Sequence, residues 1–593
     1  MSIIRTAIIP ANPSTTRGVP VHLSYDAKSN RVAYTSGKSV YLRSVDDPSS
    51  CIQYTGHNYN TTVATFSPSG FYVASGDESG LVRVWDCVSD DLILKGEYQV
   101  ISGRINAISW DADSQRIIAV GDGKERYGHC FTYDSGNTVG EISGHTAQVN
   151  SVAVRPCRPY RAATVSDDGG LVFLQGPPFK FSLSVRGKHT NFVRDVKFSK
   201  KGEYIVSVGA DRSIGIYDGK TCEFQKLIEK AHDGGIFGVD WYDETSFVTC
   251  AADSTVKRWN VEGDLLNTWK LDKKVENQLL GVVRTKDYVV ALALSGDLYY
   301  FDETSEDPVK VVYGHQKSIT ALANKGSSLY TGSYDGRIIV WDLEKKVGAL
   351  VTGDVHTNLV AGIGSLAEDK LVSVGWDDKV KEITKDNKLL TLASLDEQPI
   401  QLAASSGNKF ALITESALSV YNSDGDVVKS VKLNFVPSSV AISSSYVVVT
   451  DSTSFQVKVF DTELTASGKT LQAMRAKPSF SSISPNEKYL AVGDSTGKIF
   501  CYDLEEGKLV TSRWAFHTSR ITSISWNEDN DHVIAGSLDT DLIVYSVSKP
   551  ARNVKVHNTH KEGVSSVEWI DERQVVSGGA DACVKFWTVE PKA

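Results

Sequence analysis

A short phrase recurs along this 593-residue chain, and its spacing constrains the fold more than any other feature. Small residues lead into an Asp-containing turn, followed by alternating apolar residues, an aromatic and usually an acid. The phrase reads SGDESGLVRVWD at Ser75–Asp86, CAADSTVKRWN at Cys250–Asn260 and TGSYDGRIIVWD at Thr331–Asp342. It returns as AGSLDTDLIVYS at Ala535–Ser546 and SGGADACVKFWT at Ser577–Thr588. Weaker copies end near Leu42, Tyr133, Gln175, Tyr217, Phe301, Glu382, Tyr421, Phe460 and Tyr502, which makes fourteen copies. Most endings lie about 40–44 residues apart, the period of a unit of four short antiparallel strands. One ring of such units holds roughly four to eight of them. Fourteen copies therefore predict two seven-bladed β-propellers.

The repeats carry the polar residues that lock WD-type blades. A His near the start of a unit occurs at His57, His145, His189, His232, His315, His356, His517 and His560. An Asp stands six residues before the closing residue at Asp168, Asp211, Asp253, Asp335, Asp539 and Asp581. In this repeat type Asp, His, Ser/Thr and Trp form a buried hydrogen-bonded chain that satisfies the turn amides and fixes the imidazole tautomer. These histidines are accordingly structural rather than metal ligands or bases. Blades ten to twelve lack the His, so apolar packing must carry more of their closure.

The ends of the repeat series place the domain boundary. Copy one is followed by its fourth strand, Cys51–Tyr54, and copy seven by Val309–Tyr313. Copy fourteen has only Thr588–Ala593 after its Trp587, whereas a spare β-like run, Ile3–Ile9, precedes copy one. The predicted fold is therefore all-β, with two linked seven-bladed WD-repeat propellers over 17–313 and 314–593. A strand within residues 2–10 completes the last blade.

Composition and motif searches exclude most chemistry. A formal charge of -9 disfavours nucleic acid or an anionic membrane as the main partner. No apolar run approaches the roughly 20 residues needed to span a bilayer. Eight scattered cysteines without a C-x-x-C pair read as reduced thiols of a cytoplasmic protein. Gly37-Lys38-Ser39 resembles the end of a phosphate loop, but Val32 occupies the required leading glycine. His557 and His560 stand three apart without the H-E-x-x-H helix of a zinc site. No enzyme activity, cofactor or metal is expected.

One stretch is more specific than the repeat. It includes Asp134–His145, Arg158–Arg161, Gly176-Pro-Pro-Phe-Lys-Phe181, Phe192–Val196 and Ala231-His-Asp-Gly-Gly-Ile236. With Leu23–Asp26, Trp376–Asp378 and Lys585–Trp587, the chain resembles the actin-interacting protein 1 family over essentially its whole length. The resemblance implies a monomeric cytoplasmic protein of the cortical actin cytoskeleton. Such a protein would bind cofilin-decorated actin filaments, promote their severing and disassembly, and restrain barbed-end regrowth. It also carries over a surface on the first propeller: Glu125, Asp167 and Phe181. Glu125 lies in an expanded loop, Gly123–Gly128, and is either a binding residue or part of a solvated turn. Asp167 precedes the structural Asp168 and is expected to be the more exposed of the two. Phe179-Lys180-Phe181 is expected as an outer strand, with both rings on one face and Lys180 on the other. The rings either pack between blades or form an exposed anchor. Arg126 and Lys180 join the candidates by adjacency. The competing reading is a generic WD-repeat scaffold or adaptor, such as a ubiquitin-ligase substrate receptor, unrelated to actin.

Overall fold

The computed structural model describes residues 2–367, 370–405, 407–465 and 469–590. Their regular structure comprises fourteen sheets, antiparallel apart from one short parallel pair, and one 3-10 turn, Val275–Asn277. The chain forms two compact units, Asn12–Val312 and a second that joins the N-terminal strand to the chain from Tyr313 onward. Each unit is a seven-bladed propeller, so the fold is all-β with the WD-repeat architecture. The first unit begins at residue 12, ahead of the repeat phase, because Asn12 is buried and hydrogen-bonded within it. Its Nδ2 donates to Val312 O at 3.0 Å, and Arg43 Nη1 donates to Asn12 Oδ1 at 2.8 Å.

Blade two shows how the sequence makes a blade. Its strands Thr61–Phe66, Tyr72–Asp77, Leu81–Asp86 and Leu94–Gln99 pair in chain order. The second strand is almost wholly buried because neighbouring blades cover both of its faces, whereas the fourth is mostly exposed. The apolar core is consequently laid down between successive sheets. Val63, Ala74 and Val84 of blade two meet Ile108, Ile117 and Ala119 of blade three.

Polar bridges join the innermost strands. The residue before an inner-strand aromatic accepts a backbone N–H from the next blade: Phe66 N to Ser24 Oγ (3.1 Å), Val154 N to Ser109 Oγ (3.1 Å) and Arg284 N to Asp240 Oδ2 (2.7 Å). Trp569 N likewise donates to Ser525 Oγ (3.1 Å), and Asn324 N to Glu568 Oε1 (3.2 Å) closes the second ring. The first ring closes through Val21 N to Leu280 O at 2.9 Å. A Cβ on Gly281 would lie 2.3 Å from Val21 O, so this junction requires glycine.

The rings differ in how the last blade is made. In the first, Leu279–Arg284 through Lys310–Val312 supply all four strands of blade seven in chain order. In the second, Val564–Trp569, Gln574–Gly579 and Val584–Glu590 supply three, and Ser2–Ile9 is the fourth. Ser2 pairs with Glu590 and Ile9 with Val584, across a bulge between Arg5 and Ala7. Ile9 enters an apolar layer with Ile319, Trp341, Val576 and Phe586. One departure was not predicted: Thr352–Gly353 adds a fifth strand, parallel to the outer strand Lys388–Ser394 of blade nine.

Candidate functional site

The blade-locking residues set the frame. In blade two, His57 Nδ1 lies 2.9 Å from Asp77 and Nε2 lies 2.7 Å from Ser75 Oγ, which accepts the Trp85 indole N–H at 3.1 Å. The carboxylate accepts a hydrogen bond from Nδ1–H, so Nε2 accepts from the serine hydroxyl, and one tautomer satisfies every group. The same relay joins Asp253, His232, Thr249 and Trp259 in blade six, and Asp581, His560, Ser577 and Trp587 in blade fourteen. In blade five Asp211, His189 and Ser207 end on the Tyr217 hydroxyl. In blade four the relay of Asp168, His145 and Thr164 ends at the apolar Leu174. Blade nine joins His356 to Asp377 and Ser373. Burial raises the Asp253 carboxyl, but hydrogen bonds from His232 and Thr255 outweigh it and hold the group at about 2.

Two blades depart from the pattern. In blade eight His315 Nε2 reaches Thr331 Oγ1 (2.6 Å), but its buried Nδ1 has no hydrogen-bond partner among the described residues. Asp335 instead accepts the Ser333 hydroxyl at 2.5 Å. In blade thirteen His517 pairs with Asp539 at 3.0 Å, but Ala535 stands where other blades carry Ser or Thr, and the buried His517 Nε2 has no partner among the described residues. Asp377 of blade nine and two further sets of locking residues escaped the sequence reading. Asp77 sits eight residues before its Trp, not six, because it ends the second strand rather than occupying the turn. A cation two residues before the closing position caps the carbonyl preceding the His. The pairs are Arg83 to Gly56 O (2.5 Å), Lys257 to Ala231 O (2.7 Å), Lys381 to Val355 O (3.0 Å) and Lys585 to Thr559 O (2.6 Å).

The six candidate binding residues fall on adjoining blades three and four. Glu125 and Arg126 are exposed in the loop between Arg116–Gly121 and Gly128–Thr132, and Arg126 Nη1 lies 3.2 Å from Glu141 of the outer strand. The loop is tight: Gly121 N donates to Tyr127 O, and a Cβ on Gly123 would lie 1.8 Å from Arg126 O. Phe181 is 48% exposed, and its ring lies against Gly144, where a Cβ would be 2.7 Å away. Arg186 donates to the carbonyl of that same Gly144 and to Asp168. Lys180 is exposed beside Phe181.

One expectation needs correction. Phe179 and Phe181 do not share a face. The outer strand begins at Lys180, so Phe179 belongs to the preceding Gly-Pro-Pro turn and is 1% exposed among Val154, Tyr160 and Ile142. The Asp168 side chain is 4% exposed, and Asp167 is half-buried. Its carboxylate accepts amide N–H groups from Gln148 (2.6 Å) and Asn150 (2.8 Å). Beside it Arg194 stacks over the Phe192 and Phe237 rings, with its buried Nε unpaired.

Inner strands of all seven blades of the first unit line an axial cavity of about 260 Å³. Its polar groups neutralise one another: His22 Nε2 donates to Asn150 O (2.9 Å), Asp195 accepts from Ser151 and Val239 N, and Lys197 offsets the acids. Burial pushes the Asp240 carboxyl up and the His22 imidazole down. No group of three or more His, Cys, Asp or Glu residues able to hold a metal occurs among the described residues.

A frame of locked blades with exposed loops is that of WD-repeat proteins. The family described as "WD domain, G-beta repeat" matches residues 49–86, 136–173, 181–218, 224–260, 306–342, 507–546 and 551–588. Full-length relatives narrow the class. Actin-interacting protein 1 of Drosophila melanogaster is 34% identical, over 98% of this chain and 97% of the relative. WD repeat-containing protein 1 of Xenopus tropicalis is 35% identical over 97% and 98% of the two chains. The 66 kDa stress protein of Physarum polycephalum is 35% identical over 100% of both. The chain belongs to the family of WD repeat-containing protein 1 and actin-interacting protein 1.

Proposed function

We propose that the protein binds cofilin-decorated actin filaments, promotes their severing and disassembly, and restrains regrowth at barbed ends. The observation that carries this reading is the end-to-end similarity to a protein named for its interaction with actin. The candidate surface supports it: on adjoining blades three and four, an exposed loop carrying Glu125 and Arg126 and an exposed ring at Phe181 stand on ordered sheets. A preorganised surface of this kind loses little entropy on binding. No bond is made or broken by the protein. Tighter binding to the cofilin-altered filament than to the bare one suffices to shift the balance toward fragments.

Sedimentation of preformed actin filaments, with and without cofilin, tests the reading. Actin is expected in the supernatant in quantity only when cofilin and this protein are both present. A protein that neither pellets with decorated filaments nor changes their amount has another partner, and a role as a scaffold unrelated to actin then takes precedence.

A further inference from the structure

A groove of about 760 Å³ opens on the second unit where the inner strands of its blades begin. Three buried prolines form its floor in register: Pro399, Pro437 and Pro478 each start the inner strand of blades ten, eleven and twelve. The other blades of this ring hold Ile or Val there, as at Ile319, Val360, Ile521 and Val564. Proline removes the N–H and leaves an apolar floor. Above it Trp376, Ile400 and Val436 are 40%, 39% and 46% exposed. Three bulky apolar side chains open to water in one groove differ from singly scattered ones and mark a contact surface.

The charges around this surface are ordered. Glu397 and Glu415 stand on blade ten, Lys477 on blade twelve and Arg520 on blade thirteen. Ser416 and Thr414 hydroxyls hold the Glu397 carboxylate at 2.6 and 2.7 Å. The side chains of Glu415, Lys477 and Arg520 are exposed and make no ion pair with any described residue. The groove is thus acidic over blade ten and basic over blades twelve and thirteen, with Val436 and Pro437 of blade eleven between them and Trp376 of blade nine beyond the acidic end.

We infer that this groove binds an extended peptide segment of a partner protein, with proline or aliphatic side chains at its centre. The segment carries Lys or Arg at the end over blade ten and Asp or Glu at the end over blades twelve and thirteen. Opposite charges at the two ends fix its direction, and the apolar floor supplies the buried contact. The inference is independent of the actin reading, which concerns the first unit.

Selection of a random nonapeptide library on the full-length chain tests it, with counter-selection on a Trp376→Ser, Val436→Ser chain that retains cooperative melting. Enriched peptides are expected to share an apolar centre with base and acid in a constant order. By fluorescence anisotropy the best of them should bind at least tenfold more weakly to the counter-selected chain and to Lys477→Glu, Arg520→Glu. The latter pair is exposed and serves should the first fail to fold. Changing the acid of the peptide to Lys should recover binding to Lys477→Glu, Arg520→Glu. No enrichment over the counter-selected chain, or enriched peptides indifferent to the charge reversal, overturns the proposal. Self-association by light scattering that the same substitutions abolish also overturns it, by assigning the groove to a second copy.

Discussion

Ala535 occupies the position at which Ser75, Ser207 and Ser577 link a histidine to a closing aromatic in their own blades. The missing hydroxyl leaves a buried imidazole nitrogen of His517 without a partner among the described residues. Ala535→Ser is expected to restore the relay and raise the stability of the second ring by about 1 kcal/mol, read as a higher denaturation midpoint. The reverse change, Ser577→Ala, strips a partner from both His560 and Trp587 and should cost about 2–3 kcal/mol. An equal, small effect of both substitutions would show that water replaces the hydroxyl. These locking residues were largely legible because they recur at fixed spacing. Asp77 and the carbonyl-capping cations were not, since the first shifts by two positions and the second resemble any surface lysine until the fold buries them. Phe179 was misplaced for a related reason: alternation holds only inside a strand, and the turn ends one residue later than expected.

The bridges between inner strands act at the scale of elements, and the one that closes the second ring is titratable. Burial pushes the Glu568 carboxyl up to about 7, from 4.5 ordinarily. The unfolded chain then loses this proton near 4.5 while the fold keeps it to about 7, so stability falls as pH rises through that window. The full loss is at most about 3 kcal/mol. Glu568→Gln keeps the acceptor for Asn324 N. The variant should match wild type near pH 5 and exceed it above pH 7 when melting of the second ring is compared. A constant difference across pH would discount the bridge as a titrating group. The loop of blade three and the outer strand of blade four make a second prediction. Glu125→Ala, Asp167→Ala and Phe181→Ala together should leave a cooperative transition, lowered by about 1–2 kcal/mol through the two amide hydrogen bonds to Asp167. They should also abolish cofilin-dependent actin release, and full activity in a folded triple variant would remove this surface from the account. That Glu125 sits in a lengthened loop was legible from the broken period. Its tight turn around Gly123 was not, because no local pattern encodes it.

For the whole molecule, the spacing of the repeats was enough to give the number of blades, and the surplus strand before the first repeat was enough to give the shared last blade. The fifth strand on blade nine was illegible, since Thr352–Gly353 is a two-residue pairing set by tertiary contact. Deleting the first ten residues should destabilise the second ring by at least about 3 kcal/mol, from the lost burial of Ile8 and Ile9 alone. Two transitions in calorimetry, with only one of them moving, would express this, and an unchanged profile would refute it. The shared blade also sets an order on synthesis. Ser2–Ile9 leaves the ribosome before any of Asn12–Val312, yet its partner Val584–Glu590 follows the whole first ring and most of the second. The first ring has all its strands early and can form on the nascent chain. The second must hold an unpaired apolar strand in reserve until translation reaches its far edge, a pairing of very long sequence separation that slows folding. While it waits, that strand is a handle for chaperones and a hazard for mispairing with another nascent chain.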